Sequence, residues 1–392
     1  MAIKLSELYK STSRKNMKLI AGKNGINNIV TWAHMIESIE TSIFLDGKEL
    51  AFITGIALEK VDIEEKLYEL VEHTYKHKAS GIVINTGPYI EKIPEDVIQF
   101  CNENNFPLFE VPWHTHLANL MKDFCYQITL SDRTSLELSS ALNNAIFFPS
   151  QHELYIPYLE SKGFRTIWPY CVVLIEIFEQ DGITAVSNKK RIKLLRLIEN
   201  ILYSYERTII YDVDAKITLA FANYTQEEIK NILDEIKKRC MEILKKDEKI
   251  YLCVGENTKN IQCIAKSARQ AMDVLKIQRK KEINDEVSMY SDLGAYKLLL
   301  AIEDKEIIKK YFQETIEELV KNDELKGTDY LTILESYLRN SGSIKAVSEE
   351  LFYHKNTVCY KLSKIEGILG CNLSYLDNRM TYRLALMIMD II

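Results

Sequence analysis

Apolar and polar positions along the first third of the chain follow two alternating periods. The apolar runs that predict buried strands lie at residues 49–54, 81–85 and 107–111. Between them, residues 63–78 and 94–104 carry apolar positions at helical spacing. This βαβαβ order predicts a parallel sheet, and residues 113–145 then predict a mostly helical segment.

The pattern changes from Tyr170 onwards. The predicted strands lie at 170–178, 208–211, 217–222 and 250–255, and the predicted helices at 189–204, 226–245 and 260–278. The second and third of these strands are close enough in sequence to pair as a hairpin through Asp212–Lys216. This order predicts an α+β unit with helices on one face of its sheet. After Gly294 the apolar spacing is helical to the end of the chain.

Two helices separated by a polar stop are predicted near the C-terminus. The apolar face of the first is formed by Leu331, Leu334 and Leu338. The stop is Asn340-Ser-Gly342, whose polar residues and glycine are typical of a helix C-terminus. Ser343 can then cap the second helix, because its hydroxyl oxygen can accept a backbone N–H from the first turn.

A third helix follows after a short turn, and His354 is placed to cap it. Its predicted core face is formed by Val358, Leu362, Ile365 and Leu369, which lie within about 60° of one another at 100° per residue. The residues opposite or beside that face are Asn356, Thr357, Tyr360, Ser363 and Lys364. Such a helix after a tight turn, with no acid on its outer face, is what a helix-turn-helix needs to enter a DNA major groove. The alternative is a helical hairpin with a solvated basic side.

The charge distribution supports a nucleic-acid interface at this end of the chain only. The formal net charge of the protein is −6, with −5 in residues 1–150 and +1 in residues 325–392. Residues 351–365 contain no acid but carry Lys355, Lys361 and Lys364.

Composition excludes several classes of protein. The 392 residues predict two to four folded units, and an apolar content of 47% predicts compact domains. Eight cysteines without a C-x-x-C pair give no support to a disulfide framework or a zinc ribbon. No apolar run reaches the ~18 residues of a membrane helix, and charged residues interrupt the first 30 positions where a signal peptide would lie. We therefore expect a cytoplasmic protein.

The C-terminal motif resembles the helix-turn-helix of PucR-type transcriptional regulators. The resemblance rests on residues 346–358, which contain His-Lys-Asn-Thr-Val, and on Tyr360-Lys-Leu362. It continues at residues 364–366, 369–370, 376–379 and 384–386. One departure is Lys361, where the family commonly has Arg, so that a bidentate contact becomes a point-charge contact.

The resemblance extends to the other two parts of the chain. Residues 1–130 are similar to the family's N-terminal sensory domain, notably at 52–55, 81–84, 93–95 and 106–108. Residues 168–300 are similar to its middle domain, a relative of the GGDEF fold. An active cyclase of that fold would need paired glycines and acids at the hairpin, which here reads Asp212-Val-Asp-Ala-Lys216. Asp212 and Asp214 could bind Mg²⁺, but ordinary turn residues are the favoured interpretation. We expect no enzyme activity, no cofactor and no metal site.

A candidate effector site lies where two predicted strands of the N-terminal sheet end. Thr54-Gly55 follows the first strand and Asn85-Thr86-Gly87 the second. Ligands of open α/β sheets usually bind at this edge, where a glycine lets the backbone approach a ligand and a threonine offers a hydroxyl and an N–H. The alternative is that both are plain strand-ending turns.

These observations predict a multi-domain α/β plus all-α protein that acts as a bacterial DNA-binding transcriptional regulator under the control of a small metabolite, in line with purine or other nitrogen catabolism in the family. The domains are expected at 1–130 (sensory), 131–167 (helical connector), 168–300 (GGDEF-like, without the catalytic motif), 301–325 (helical linker) and 326–392 (helix-turn-helix). The expected partners are an operator in double-stranded DNA, a small-molecule effector and a second copy of the chain, with no membrane. The predicted DNA-binding residues are Ser343, His354, Lys355, Asn356, Thr357, Tyr360, Lys361, Ser363 and Lys364. The alternatives are a metabolite-binding signalling protein and a nucleotide-acting enzyme.

Overall fold

A computed structural model describes residues 3–12, 17–58, 62–179, 186–213, 216–246, 248–281 and 287–392. Contacts between Cα atoms divide the chain into two compact units. The first comprises residues 1–144, 153–163 and 195–210, and the second comprises residues 145–152, 164–194 and 211–392.

A five-stranded sheet forms the centre of the first unit. Its region of the chain contains β1 Ile3–Lys4, α1 Leu5–Thr12, β2 Lys18–Ala21, β3 Ile29–Val30, β4 Trp32–Met35, α2 Ile39–Ser42, β5 Glu49–Ile53, α3 Ile63–Lys76, β6 Gly81–Thr86, α4 Glu95–Glu103, β7 Leu108–Pro112 and α5 Leu117–Phe147. The strand order is β2-β7-β6-β5-β4, and the four strands from β4 to β7 are parallel. The predicted parallel sheet is confirmed, with β2 added antiparallel at one edge and the short pair β1 and β3 outside it.

Both faces of this sheet are covered, as expected for parallel strands. On one face Ala51, Ile53, Ile82 and Ile84 pack with apolar residues of α3 and α4. On the other, Leu50, Phe52 and Val83 pack with residues of α1 and α5. Every residue of β5 is buried, which explains why this strand reads as a continuous apolar run and not as an alternating one. The result is a three-layer α/β/α arrangement.

The middle of the chain forms a second five-stranded sheet. Its region contains α6 Ile156–Ser161, β8 Tyr170–Phe178, α7 Asn188–Leu202, β9 Thr208–Val213, β10 Lys216–Ala222, α8 Gln226–Met241, β11 Lys249–Val254, α9 Ile264–Lys281 and β12 Val287–Met289. The strand order is β12-β11-β8-β10-β9. The central strand β8 runs antiparallel to both β10 and β11, and Leu174 and Phe178 pack against α9.

Helix α9 covers one face of the central strand of the middle sheet, and the opposite face is covered as well. That helices lie on only one face of this sheet stays a prediction. All nine residues of β8 are buried, so both of its faces are covered. Eight of the nine residues of β8 are apolar, so the strand has almost no polar face to present to water. Glu176, the single acid in β8, is buried and forms an ion pair with Arg279 of α9. Burial raises the pKa of Glu176, and the neighbouring Arg279 opposes that rise.

The rest of the chain is helical, as predicted. The helices are α10 Tyr296–Leu300, α11 Lys305–Thr315, α12 Glu317–Lys326, α13 Tyr330–Arg339, α14 Ile344–Glu350, α15 Lys355–Leu369 and α16 Leu376–Met389. Ile316 and Leu319, in the segment predicted as a linker, are fully buried in the same core as Ile333, Val358 and other residues of the helix-turn-helix. Gly327 ends α12 with a left-handed backbone (φ 63°) that an L side chain rarely adopts. The compact helical region therefore includes α12.

Candidate nucleic-acid interface and metabolite site

Side-chain caps begin both helices of the C-terminal motif, as the sequence predicts. The Ser343 hydroxyl accepts the Ala346 N–H at 3.3 Å and so caps α14. His354 Nδ1 accepts the Asn356 N–H at 3.3 Å and caps α15. Each cap provides a partner for an amide that the helix itself leaves unpaired. The two caps therefore define where α14 and α15 begin.

The turn between α14 and α15 is tight and internally hydrogen-bonded. The Tyr353 N–H donates to the Ser348 carbonyl at 3.1 Å, and the Ser348 hydroxyl donates to the Tyr353 carbonyl at 2.7 Å. Phe352 occupies the left-handed region of backbone space (φ 57°), and 94% of the residue is exposed. A bulky residue at positive φ is strained, and the short connection between the two helices imposes this conformation.

One face of α15 is buried and the opposite face is a continuous exposed stripe. Val358, Leu362 and Ile365 lie in the helical core, whereas Leu369 is only half-buried. The exposed residues of this helix are Lys355, Asn356, Cys359, Tyr360, Ser363, Lys364 and Gly367. The structure describes the whole helix, and the stripe contains no acid. The Lys364 ammonium lies 5.4 Å from the Tyr360 ring centroid, so that the cation and the aromatic face are presented together.

Lys361 lies beside the stripe and interacts with the protein itself. Its ammonium forms an ion pair with Asp329, at the start of α13, and lies 4.3 Å from the Tyr353 ring centroid. The Tyr353 hydroxyl donates to the same carboxylate at 2.7 Å. Burial acts to raise the pKa of Asp329, but the hydrogen bonds from Lys361 and Tyr353 outweigh it and lower that pKa. These contacts join α13, the turn and α15, so the geometry supports an orienting role for Lys361. A phosphate contact by this residue stays a prediction.

A second carboxylate joins α13 to α14. Glu350 accepts hydrogen bonds from the Ser336 hydroxyl at 2.9 Å and the Asn340 amide at 2.5 Å, and it forms an ion pair with Arg339. The hydrogen bonds from Asn340 and Ser336 lower the pKa of Glu350. The three helices that orient the exposed stripe are thus connected by two charged groups in addition to their apolar core.

The predicted effector residues of the N-terminal sheet lie together at the carboxyl ends of its parallel strands. Several of their hydrogen-bond donors have partners within the protein. The Thr54 N–H and hydroxyl donate to Glu37 Oε1, at 3.1 and 2.6 Å. The Thr86 hydroxyl donates to Glu110 Oε1 at 3.1 Å. Asn85, which is buried, donates its amide to the Val111 carbonyl at 2.9 Å. We call this edge, formed by the ends of β4 to β7, the rim.

Both glycines of the rim allow close contact within the protein. Gly55 has φ 77°, and a Cβ at this position would lie 2.7 Å from Ile90 Cγ1. A Cβ at Gly87 would lie 2.5 Å from the Trp113 Cβ. The Trp113 ring packs against the Tyr89 ring with centroids 5.4 Å apart, and both rings are partly exposed. The glycines therefore bring an aromatic pair to the rim. The effector-binding role of these positions stays a prediction.

The middle domain gives no support to a metal site at its hairpin within the part of the chain that the structure describes. Asp212 forms an ion pair with Arg191, and Asp214 lies outside the described residues. No group of three or more metal-ligating side chains occurs among the described residues. In the same residues, no helix is long and apolar enough to span a membrane.

Four residues near these sites are not identified by sequence reasoning. Cys359 lies in the middle of the exposed stripe, at a helical spacing from Asn356 and Ser363 that could have revealed it. The exposure of Phe352 could not be predicted from the sequence, because it depends on the conformation of the turn. Glu37 and Glu110 are brought to the rim by the pairing of β4 with β5 and of β6 with β7. A local sequence pattern does not predict such pairing.

Comparisons with known proteins identify both ends of the chain. Residues 7–128 match the model of the purine catabolism regulatory protein-like family, and residues 330–388 match that of the PucR C-terminal helix-turn-helix domain. The chain belongs to the PucR family of transcriptional regulators. As such a regulator it binds DNA, and the second match covers α13, α14, α15 and most of α16, which is the region that carries the exposed stripe.

Individual relatives of this PucR-type regulator are distant. The proline-responsive transcriptional activator PutR of Bacillus subtilis (strain 168) is 23% identical over 309 residues, which cover 76% of this chain and 70% of PutR. The purine catabolism regulatory protein of the same organism is 28% identical over 161 residues, which cover 41% of this chain and 28% of that protein. A solved structure, the regulator of polyketide synthase expression from Bifidobacterium adolescentis, matches with a TM-score of 0.33 and 14% identity over 65% of this chain and 97% of that one. A score this low supports no argument about the fold.

Proposed function

We propose that this PucR-type regulator reads double-stranded DNA with the exposed stripe of α15. The observation that carries the proposal is the acid-free stripe itself, which extends over more than three turns of a helix oriented by a packed core. A solvated helix face normally mixes acids with bases, whereas DNA backbones and base edges favour cations, amides and hydroxyls. The N-terminus of α15 adds a favourable environment for a phosphate, because the helix dipole is positive at that end.

The exposure of each side chain supports a division of roles. Asn356 and Tyr360 lie one turn apart on the stripe and are suited to base edges, and an Asn can pair bidentately with adenine. Lys355 and Lys364 have long stems and are suited to phosphates. Ser343 and His354 cap their helices and are proposed to lie near the DNA backbone. Ser363 extends the stripe. Thr357 is half-buried beside it.

The proposed arrangement is a dimer that recognises paired half-sites. A single helix-turn-helix covers little DNA, and two-fold dimers that contact half-sites about one helical turn apart are the usual solution. Effector binding in residues 1–130 would shift an equilibrium between arrangements of the two recognition helices. Residues 168–300 are proposed to form the GGDEF-like middle domain, which lacks the paired glycines of an active cyclase. The helix-turn-helix domain is proposed to lie in the cytoplasm with the rest of the chain.

The effector is proposed to be a small metabolite of nitrogen metabolism that binds at the rim. Support comes from the edge of the sheet on which Thr54, Gly55, Asn85, Thr86 and Gly87 lie, since ligands of parallel sheets bind at the carboxyl ends of strands. Further support comes from the names of two relatives, one proline-responsive and one a regulator of purine catabolism.

Two exposed cysteines provide a direct test of the DNA-binding face. Cys359 lies in the stripe, and Cys263 is exposed in the middle of the chain. We expect a DNA fragment from the upstream region of the gene to be shifted in a gel and to slow maleimide labelling of Cys359, measured by peptide mass spectrometry, with Cys263 as the internal control. Equal labelling of Cys359 with and without bound DNA would show that DNA binds elsewhere. No shift with any fragment of that region would argue against the proposed operator.

A further inference from the structure

A cavity lies at the edge of the N-terminal sheet opposite the rim. Its volume is about 630 Å³, which is within the range of sites that hold small molecules. Lys48 immediately precedes β5 and residues 78–80 immediately precede β6, so the cavity lies at the amino ends of the parallel strands. All of its lining residues belong to the first compact unit. The cavity shares no residue with the rim or with the exposed stripe of α15.

The charged side chains that line the cavity are all cations. They are Lys48, Lys76 and Lys78. The Lys76 ammonium forms an ion pair with Glu72 at 2.8 Å. The ammonium groups of Lys48 and Lys78 form neither an ion pair nor a hydrogen bond with any residue that the structure describes. Two cations of the cavity are therefore available to a ligand.

Backbone contacts hold these two lysines next to each other. The Lys48 N–H donates to the Lys78 carbonyl at 2.7 Å, and a Cβ at Gly47 would lie 3.5 Å from the Lys78 Cβ. Both lysines occupy the left-handed region of backbone space, with φ 73° and 62°, which residues other than glycine adopt uncommonly. The fold thus brings two cations from different segments to one cavity.

The acids close to Lys48 do not line the cavity. The Glu49 carboxylate is directed at its own turn, where it accepts the Asp46 N–H at 2.9 Å. Arg196 and Glu199, in the part of α7 that belongs to the same unit, act on Lys48 in opposite directions. Burial and Arg196 lower the pKa of Lys48, and Glu199 opposes that change. An anion bound beside this half-buried ammonium would stabilise its charged form.

The helix dipole explains only part of this cluster. Lys76 and Lys78 lie at the C-terminal end of α3, where cations are favoured for structural reasons. The last-turn carbonyls of α3 already accept backbone N–H groups from residues 77–79, and the partial charge of a helix end is only about half a unit. Two unpaired ammonium groups outweigh it. Lys48 is not in this helix, so the dipole gives no reason for its place in the cavity.

Neutral donors complete the lining. The Asn200 amide and the Tyr75 hydroxyl form no hydrogen bond with a described residue. The Tyr75 ring packs edge-on against Phe100 and Phe106, which fixes its position. Ammonium groups with amide and hydroxyl donors around them are suited to phosphate and carboxylate oxygens. We infer that this cavity binds a small metabolite with at least two negative charges, which Lys48 and Lys78 contact. The inference goes beyond the proposed function, because it requires neither the rim nor DNA.

Calorimetric titration of the full chain at constant ionic strength tests this inference. The probes are pyrophosphate and citrate, with acetate as the singly charged comparison. We expect at least one of the two polyanions to bind, and acetate to bind about tenfold more weakly or less. Lys48→Met, which keeps most of the aliphatic stem, should raise the Kd of that polyanion about tenfold or more, whereas Lys48→Arg should keep it within about threefold.

Three further variants serve as a second test and as controls. Lys78→Met changes an exposed residue and should weaken polyanion binding in the same way as Lys48→Met. Lys122→Met, in the exposed face of α5, and Lys364→Met, in the exposed stripe of α15, should leave it unchanged, because neither residue lines the cavity.

Each outcome supports or overturns the inference. Binding of pyrophosphate alone would assign the cavity to phosphorylated metabolites, and binding of citrate alone to polycarboxylates. Failure of both polyanions to bind, undiminished binding by Lys48→Met and Lys78→Met, or an equal loss in Lys122→Met would overturn the inference. Binding that is lost in Lys364→Met and kept in Lys48→Met would place the anion on the DNA-binding face and overturn it as well. The gel shift tests the DNA-binding proposal independently.

Discussion

Replacement of Lys361 tests whether this residue orients the recognition helix or contacts DNA. Lys361→Met keeps most of the aliphatic stem but removes the ammonium that bridges Asp329 and the Tyr353 ring. If the role is internal, the variant loses local stability while the electrostatic component of its DNA binding stays the same. Lys364→Met is the matched control, because Lys364 lies three residues further along the same helix in the exposed stripe.

The expected magnitude follows from the exposure of the pair. The Lys361 and Asp329 side chains are 20% and 33% exposed, and at such partial burial the ion pair contributes about 1 kcal/mol. The contact with the Tyr353 ring adds about 0.5–1 kcal/mol. Removal of both interactions should lower the local opening free energy by about 1.5–2 kcal/mol, which corresponds to amide exchange about 10–30 times faster.

Hydrogen exchange and salt-dependent DNA binding measure the two effects separately. We expect faster exchange across residues 330–388 in Lys361→Met, with an unchanged slope of log K against log salt. Lys364→Met should leave exchange near the wild-type rate and reduce the magnitude of the slope by about 0.9 for each phosphate that the variant no longer neutralises, or about 2 in a dimer. If Lys361→Met reduces the slope as much as Lys364→Met and exchange is unchanged, Lys361 binds phosphate and an orienting role for its ammonium is wrong.

Three further predictions concern sequence reading, assembly and pH. Asn356→Ala should weaken binding to the cognate site by about 1–3 kcal/mol more than binding to random DNA; equal losses on both DNAs would reduce Asn356 to a structural residue. Light scattering at micromolar concentration with operator present should show a dimer, and a monomer would contradict the proposed half-site arrangement. The lowered pKa values of Asp329 and Glu350 mean that their stabilising contributions are complete above the unfolded-state values of about 4 and are lost as pH falls through the lower folded-state values. Thermal melting at pH 7, 5, 4 and 3 should therefore show that the double variant Asp329→Asn with Glu350→Gln loses less stability below pH 4 than the wild type does, and parallel curves would refute the assigned cause.

Local sequence patterns determined most of the elements and the outline of the DNA-binding face. Strand β8 begins and ends at the residues predicted, because nine consecutive positions must all be buried. The caps Ser343 and His354 and the buried face of α15 also follow from the sequence, since a helix of known period places each residue at a fixed angle and an N-cap acts within its own first turn. The exposed stripe of α15 was predictable for the same reason.

Tertiary structure alone decided which of those polar groups are free. Lys361 follows Tyr360 directly and carries the same charge as Lys364. Its ammonium nevertheless pairs with Asp329, which lies 32 residues earlier in the chain. Thr54 offers two donors in sequence, and Glu37 accepts both after β4 pairs with β5. Hydrophobic periodicity encodes which side of an element is buried, but hydrogen bonds and ion pairs depend on atoms brought within about 3 Å by packing of distant segments. The chemistry of the rim, acidic and aromatic, was therefore set by the fold.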